Sequence, residues 1–404
     1  KNRFYNKYTI MALTLKQVPQ DIMPAYNKQY ITAISNQIAI ADFKYIVTVE
    51  VNGSGQIYTE NILQRPDGYL VFNAEQWVKN YIQHFFNPTL SLATPIEVAT
   101  NKLVSVDIYI KEYYSGTIHT AQQERVRYSA FDGCLNDKTF AVYDFADYVF
   151  NGVAGKLFLS KDITTITPDN RLMLGQDFYL HFIQNTTTAI NNISVDLRRG
   201  ASTIDNVNIA ALPSAGTLSL YVMRLNSTMF TTATPQLGDI IRTSFNSAAG
   251  NIVRYSITLK ELCTKYKDYV LYYLDRDGNI LFFHFEKLSK TNFNKKVNAV
   301  TLQKDYLNAA FNYTSNSYDR EVHNISTMID STISLNTDWI TETQSTQLND
   351  LFSSPIVYLW DGTEYRPVTI TTNSYEEYKL DNESLFNYSV TCTFDTMETR
   401  QRGI

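Results

Sequence analysis

The 404-residue sequence predicts a mainly β protein: two or three β-sandwich or barrel-like domains, a few short helices and a C-terminal strand, helix, strand-pair module. Three observations predict it. Strand formers are abundant, with 29 Tyr and 22 Phe in a chain that is 44% hydrophobic. Apolar runs of strand length are closed repeatedly by turn dipeptides. Helical periodicity shows in few places. The length exceeds the usual limit for one hydrophobic core. The expected divisions are an N-terminal extension (1–20), a sandwich with one helix (21–155), a second sandwich (156–260) and an α+β module (261–404).

FKYIVTVEV (43–51) is followed by Asn52-Gly53 and LVSVDIYIKEYY (103–114) by Ser115-Gly116, two β runs each closed by a turn. Between them AEQWVKNYIQHFF (74–86) sets Trp77, Val78, Tyr81, Ile82 and Phe85 on one helical stripe that stops before Pro88. A helix covering the sheet is expected there. FAVYDFADYVF (140–150) fits strand or helix by periodicity alone. The second block offers KLFLS, DFYLHFI, ISVDLR, LSLYVMRL and VRYSITL, separated by turn clusters holding Pro168, Gly200, Pro213, Gly216 and Gly250. In KDYVLYYLDRDGNILFFHF (267–285), Asp277-Gly278 joins two apolar strands into a hairpin. The polar stretch that follows, with Lys287, Lys290, Lys295 and Lys296, reads as a solvated loop.

The terminal module is the most fully patterned part. Thr341 stands three residues before Gln344, the spacing of a capping box. Leu348, Leu351 and Phe352 then share one helical face, and Pro355 stops the helix. IVYLW, Asp361-Gly362 and YRPVTITT predict a hairpin. In LFNYSVTCTF the residues Phe386, Tyr388, Val390, Cys392 and Phe394 fall on the inward face.

Charged residues make up 19% of the chain, below the usual ~25%. The net charge is −5 and no run of lysines and arginines could track a phosphate backbone, so nucleic acid is not expected as a partner. No apolar stretch reaches the ~20 residues that span a bilayer. The start carries no secretion-signal pattern, and a start at Met11 would leave Lys1–Ile10 as an extension. Cys134, Cys263 and Cys392 are odd in number and widely spaced, which does not indicate a disulfide framework, and Cys392 reads as a small buried hydrophobe.

His84, His119, His181, His284 and His323 occur singly on different elements, without metal-ligand spacing. Asp144 with Asp147, Asp275 with Asp277, and Glu376 with Glu377 are acid pairs that could serve a glycosidase or bind calcium. Turn and strand-edge positions explain each more simply. DRDGN opens like a calcium loop but lacks the acid at the twelfth position. No phosphate loop, dinucleotide fingerprint or nucleophile elbow occurs. No catalytic, cofactor-binding or metal residue, and no cofactor, is therefore expected. Tyr113-Tyr114 and Tyr272-Tyr273 could stack on sugars or line a subunit interface.

Three passages, AYNKQYITAISNQIAIADFKYIVTVEV, YVLYYLDRDGNILFFHFEK and the block from NTDWITETQSTQLNDLF to FNYSVTCTF, together resemble virion structural proteins of phages and prophages of Bacteroides and related bacteria. The resemblance implies a non-enzymatic tail, hub or baseplate subunit that assembles with copies of itself, as a ring, and with neighbouring tail proteins. It implies a place in the phage tail, reached by assembly in the host bacterial cytoplasm. The alternative is a tail-tip protein that binds host surface glycan.

Overall fold

The computed structural model describes residues 13–51, 57–147, 149–150, 171–185, 190–209, 212, 218–247, 252–260, 265–302, 306–314, 317–318, 320–372, 385–395 and 398–399. The Asn52-Gly53 turn, the KLFLS strand, Pro168, Pro213, Gly216, Gly250, Cys263, Glu376-Glu377 and Lys1–Met11 lie outside the described residues. The fold is mainly β, built of several sheets and a few short helices. It forms two compact units: Lys1–Ile166 with Leu174–Leu259 and Asp275–Ile280, and Thr167–Met173 with Lys260–Leu274 and Leu281–Ile404.

The first unit begins with β1 (Leu13–Gln17), β2 (Ile22–Pro24), β3 (Tyr30–Ser35), β4 (Lys44–Val51), β5 (Ile57–Ile62) and β6 (Tyr69–Asn73). After α1 (Glu75–Val78) and β7 (Ile96–Val98) comes the long hairpin of β8 (Leu103–Tyr114) and β9 (Thr117–Phe131). One sheet runs β1-β3-β6, the other β2-β9-β8-β4-β5. Period-two alternation buries Val104, Val106, Ile108 and Ile110 along β8, as a half-buried strand requires. Tyr45 ties the two sheets together. Its buried hydroxyl accepts from Ser35 N–H (3.1 Å) and donates to the Gly68 carbonyl (3.0 Å), and burial pushes its pKa up to about 12. Ser115 and Gly116, both at positive φ, close the β8–β9 hairpin with Tyr114 opposite Thr117.

The expected helix over 74–86 is confined to its first turn. Residues 79–81 tighten into a 3-10 turn and Ile82 is extended at ψ 132°. No side chain caps the start, and Gln83 N–H donates instead to the Asn101 carbonyl (3.0 Å). An aromatic and β-branched run has little helix propensity to resist such pairing. The ambiguous FAVYDFADYVF splits three ways. Its start completes α2 (Asp137–Ala141), capped by Asn136 on Thr139 N–H (2.9 Å); a 3-10 turn follows at Phe145–Asp147, then β10 (Val149–Phe150).

After β11 (Arg171–Leu172) of the second unit, the first unit resumes with β12 (Asp177–Asn185), β13 (Ile190–Arg199), β14 (Ser202–Ile209), β15 (Leu218–Asn226), β16 (Ile240–Ser247) and β17 (Ile252–Leu259). One sheet runs β10-β12-β15-β7, and β17, β16, β13 and β14 lie side by side in that order. Phe182 meets Phe245 at 5.4 Å and Phe178 meets Tyr255 at 6.0 Å, so the two faces share a core. Strands β14 and β16 were not expected from STIDNVNI and IIRTSFNS. β14 is a half-exposed edge, where polar residues cost nothing.

The second unit contains β18 (Tyr269–Leu274), β19 (Ile280–Phe285), β20 (Lys290–Thr301), β21 (Tyr306–Leu307), β22 (Tyr313–Thr314), β23 (Val322–Asn336), β24 (Ile340–Thr341), α3 (Glu342–Ser353), β25 (Val357–Trp360), β26 (Tyr365–Ile370), β27 (Leu385–Phe386), β28 (Ser389–Phe394) and β29 (Glu398–Thr399). Its main sheet runs β19-β18-β25-β26-β28-β23-β20, with β29 also on β23. The capping box forms as expected: the Thr341 side chain accepts from Gln344 N–H while the Gln344 side chain accepts from Thr341 N–H. Leu348 and Leu351 are buried, and the helix stops at Ser353 before Pro355. Tyr388, Val390 and Cys392 are buried on the predicted inward face. The loop between β25 and β26 spans Asp361 to Glu364, with Gly362 at φ 100° and the Asp361 carboxylate accepting from Thr363 and Glu364 N–H.

Candidate assembly surface

The stretch expected to be a solvated loop is a strand. β20 pairs along its full length with β23, from Lys290 opposite Ser334 to Thr301 opposite Val322, with one bulge at Asn298/Ala299. The ribbon continues through the β21–β22 pair to a turn in which the Asn308 carboxamide oxygen accepts from Ala310 and Asn312 N–H. All twelve residues of β20 are exposed, and among the described residues β20 ends its sheet, so one row of backbone donors and acceptors faces outward. Asn and Lys, poor strand formers, masked the strand in the sequence. The alternation of Thr291, Phe293, Lys295 and Val297 with Asn292 and Asn294 was the signal available.

Directly opposite residues in an antiparallel pair share a face. Thr291 is opposite the buried Ile333, so Phe293, Lys295 and Val297 lie on the face that is core further along the sheet. Phe293 is 71% exposed. Lys296 lies on the other face and bridges Asp330 across the ribbon at 2.5 Å. Towards the tip, Phe311, Tyr313 and Tyr318 are exposed, together with Tyr306 and Leu307. These exposed apolar groups make the ribbon the candidate interaction surface.

The residues considered for chemistry fall elsewhere. Tyr272 and Tyr273, candidates for sugar stacking, are both fully buried, because β18 is covered on both faces. Tyr113 and Tyr114 are half-buried. The Lys44 ammonium sits 4.2 Å from the Tyr113 ring centre, and Tyr114 stacks on His119 at 3.7 Å. Asp144 accepts from Ala146 N–H and opens a 3-10 turn. Asp275 accepts from Asn279 N–H (2.6 Å) and from its side-chain amide, the work of a turn. Cys134 is exposed; Cys392 is buried, and burial pushes its thiol up to about 12, so it stays protonated.

Sequence reasoning missed two buried polar groupings. In the first unit, Asp132 holds His84 Nδ1 at 3.1 Å on both oxygens and lies 3.9 Å from the wholly buried Lys102 ammonium. Burial lowers the Lys102 pKa, opposed by Asp132 and Asp275. His181 is held well below its ordinary value by burial and by Lys102. Its Nδ1 accepts from Ile280 N–H, so the neutral ring keeps its proton on Nε2. With Lys102, Asp132 and His181 shut from solvent, this arrangement suits a structural ion cluster. The second grouping is on β8, where Glu112 continues the buried row of Ile108 and Ile110. Both its carboxylate oxygens lack a hydrogen-bond partner, as does Nε2 of His119 opposite. His284 is buried edge-on to Phe282, and His323 lies on the ribbon opposite Val300. Among the described residues no three metal-ligating side chains gather into a site.

No family model and no curated protein matches the chain. The solved structures it is similar to include the following three. These are the FN1–FN3 domains of chicken CNTN1 (9% identity, 61% of this chain and 68% of that one, TM-score 0.19) and a tetra-tandem repeat in the extending region of a large adhesion protein (10%, 97% and 90%, TM-score 0.23). The third is the ICAM-5 D1–D4 ectodomain fragment (10%, 93% and 97%, TM-score 0.22). Likeness at these scores carries no argument about fold or role.

Proposed function

We propose that this chain is a non-enzymatic structural subunit of a phage virion, a tail, hub or baseplate component. It assembles with copies of itself as a ring and with neighbouring tail proteins. The observation that carries the assembly part is β20: twelve exposed residues on a sheet edge that pairs with no further strand among the described residues and continues a core face. An exposed edge of this length is a template for pairing with another chain. The resemblance of the three sequence passages to virion structural proteins supplies the particle. The test is a cryo-EM map of purified particles with peptide mass spectrometry. The chain is expected as a repeated density in the tail, and its absence from particles sinks the reading.

A second reading, a tail-tip protein that binds host surface glycan, draws on the exposed Phe311, Tyr313 and Tyr318 near the ribbon tip. Exposed rings stack on sugar faces. A glycan array answers it: binding lost in Tyr313→Ala and Tyr318→Ala supports it, and no binding by the wild-type chain removes it.

A further inference from the structure

The Lys102–Asp132 contact holds chemistry that a structural ion pair leaves unused. The two residues close the open end of the β8–β9 hairpin, one step beyond the Leu103–Phe131 pair, where Asp132 N–H donates to the Lys102 carbonyl (2.9 Å). Both side chains are shut from solvent. Among the described residues Lys102 Nζ has no hydrogen-bond partner, and Asp132 Oδ2, at 3.9 Å, lies beyond hydrogen-bond reach. A buried ammonium whose three donors go unmet is costly.

The amine and the carboxyl are each prepared to react. Burial lowers the Lys102 pKa and so favours the uncharged amine, which is the nucleophilic form. The Asp132 carboxyl meets His84 Nδ1 on both oxygens at 3.1 Å, and since a carboxylate only accepts, Nδ1 carries the proton. That proton draws electron density from Cγ, the atom an amine attacks. The hairpin itself holds the two groups together, and partners fixed in this way react as if at effective concentrations of about 10⁵ M or more.

We propose that Lys102 Nζ and Asp132 Cγ condense into an intramolecular amide, a covalent staple across the base of the β8–β9 hairpin. Counted from the ion pair, the ammonium gives up two protons, the Nζ–Cγ bond forms and one Cγ–O bond breaks. The departing oxygen takes both protons and leaves as water. His84 hands its Nδ1 proton to that oxygen and is recharged from Nζ, so the imidazole ends as it began. No oxidant, reductant or outside reagent is consumed. The product replaces two buried charges with one neutral amide, which removes the desolvation cost of the pair. The link keeps the ends of the hairpin together when its hydrogen bonds open, as a disulfide would.

The staple does not rest on the virion reading, and the mass of the full chain tests it. Purified, folded wild-type chain is expected to be lighter than its sequence mass by one water, about 18 Da. Acylated Lys102 resists trypsin, so residues 80–111 should appear uncut and joined to residues 128–138. Lys102→Met and Asp132→Ala should each show the full mass of the variant sequence and no joined peptide. His84→Gln keeps a hydrogen bond but relays no proton, and a pulse-labelled time course should show its link forming at least about a hundredfold more slowly. A folded wild-type chain at its full sequence mass, with a peptide ending at Lys102, overturns the staple. A joined peptide that persists in Asp132→Ala overturns it too. Linkage at the wild-type rate in His84→Gln removes the histidine from the step.

Discussion

Strands β19 and β20 are opposite ends of one sheet and follow each other in the chain, yet all six residues of β19 are buried and all twelve of β20 are exposed. ILFFHF is apolar on both faces and must be covered on both. KTNFNKKVNAVT is apolar on one face at most, and its backbone is satisfied on one side by β23. The contrast separates two things usually found together: hydrogen bonding makes a strand, and side-chain cover decides whether it becomes core.

The largest expected effect strikes at that contrast. Phe282→Ala should destabilise the chain by about 3–5 kcal/mol, whereas Phe293→Ala should change the dilute chain by less than about 0.5 kcal/mol. Urea unfolding measures both. Equal costs would mean that the monomer already covers β20.

Next in size is Glu112→Leu, which asks whether a covered position on β8 tolerates a charge only at a cost. Removing a buried carboxylate without partners should raise stability by about 1–3 kcal/mol. A lower melting temperature would reveal a partner for it. A smaller effect, about 1 kcal/mol, is expected for Thr341→Ala, which removes the helix cap of the unit that carries both β19 and β20; Thr341→Ser should retain most of it.

The smallest effect concerns the outer face of β8, half-buried where β20 is exposed. Hydrogen bonds from Arg127 and Arg125 hold the Asp107 carboxyl at about 2. A carboxyl depressed on folding stabilises above its ordinary pKa, about 3.9, and that contribution is lost as pH falls from about 4 through about 2. Asp107→Asn should therefore flatten the stability profile in that window only, as read by melting temperature against pH.

Much of the fold was legible where local rules and tertiary demands agree. The Thr341–Gln344 box, the Ser115-Gly116 turn, the Asp277-Gly278 hairpin and the inward row of Tyr388, Val390 and Cys392 each need only short-range chemistry or period-two alternation. The helix over 74–86 failed because its stripe of large apolar residues also suits extended chain, and Gln83 found a strand-like partner in Asn101. β20 was missed for the opposite reason: its Asn and Lys content hid an alternation that β23 enforces. The candidate surface was thus illegible in the segment that forms it, and Tyr272 and Tyr273 drew attention to a strand that is core.

The sequence by itself determined a β-rich chain, its tight turns, its capped terminal helix and the alternation that points side chains in or out. These follow from backbone sterics and hydrogen bonding within a few residues. Only the tertiary structure decided that Lys102, Asp132 and His181 share a dry interior and that β19 is covered while β20 is bare. Burial is set by which distant strands arrive on each face, and no local stretch of sequence specifies its own cover.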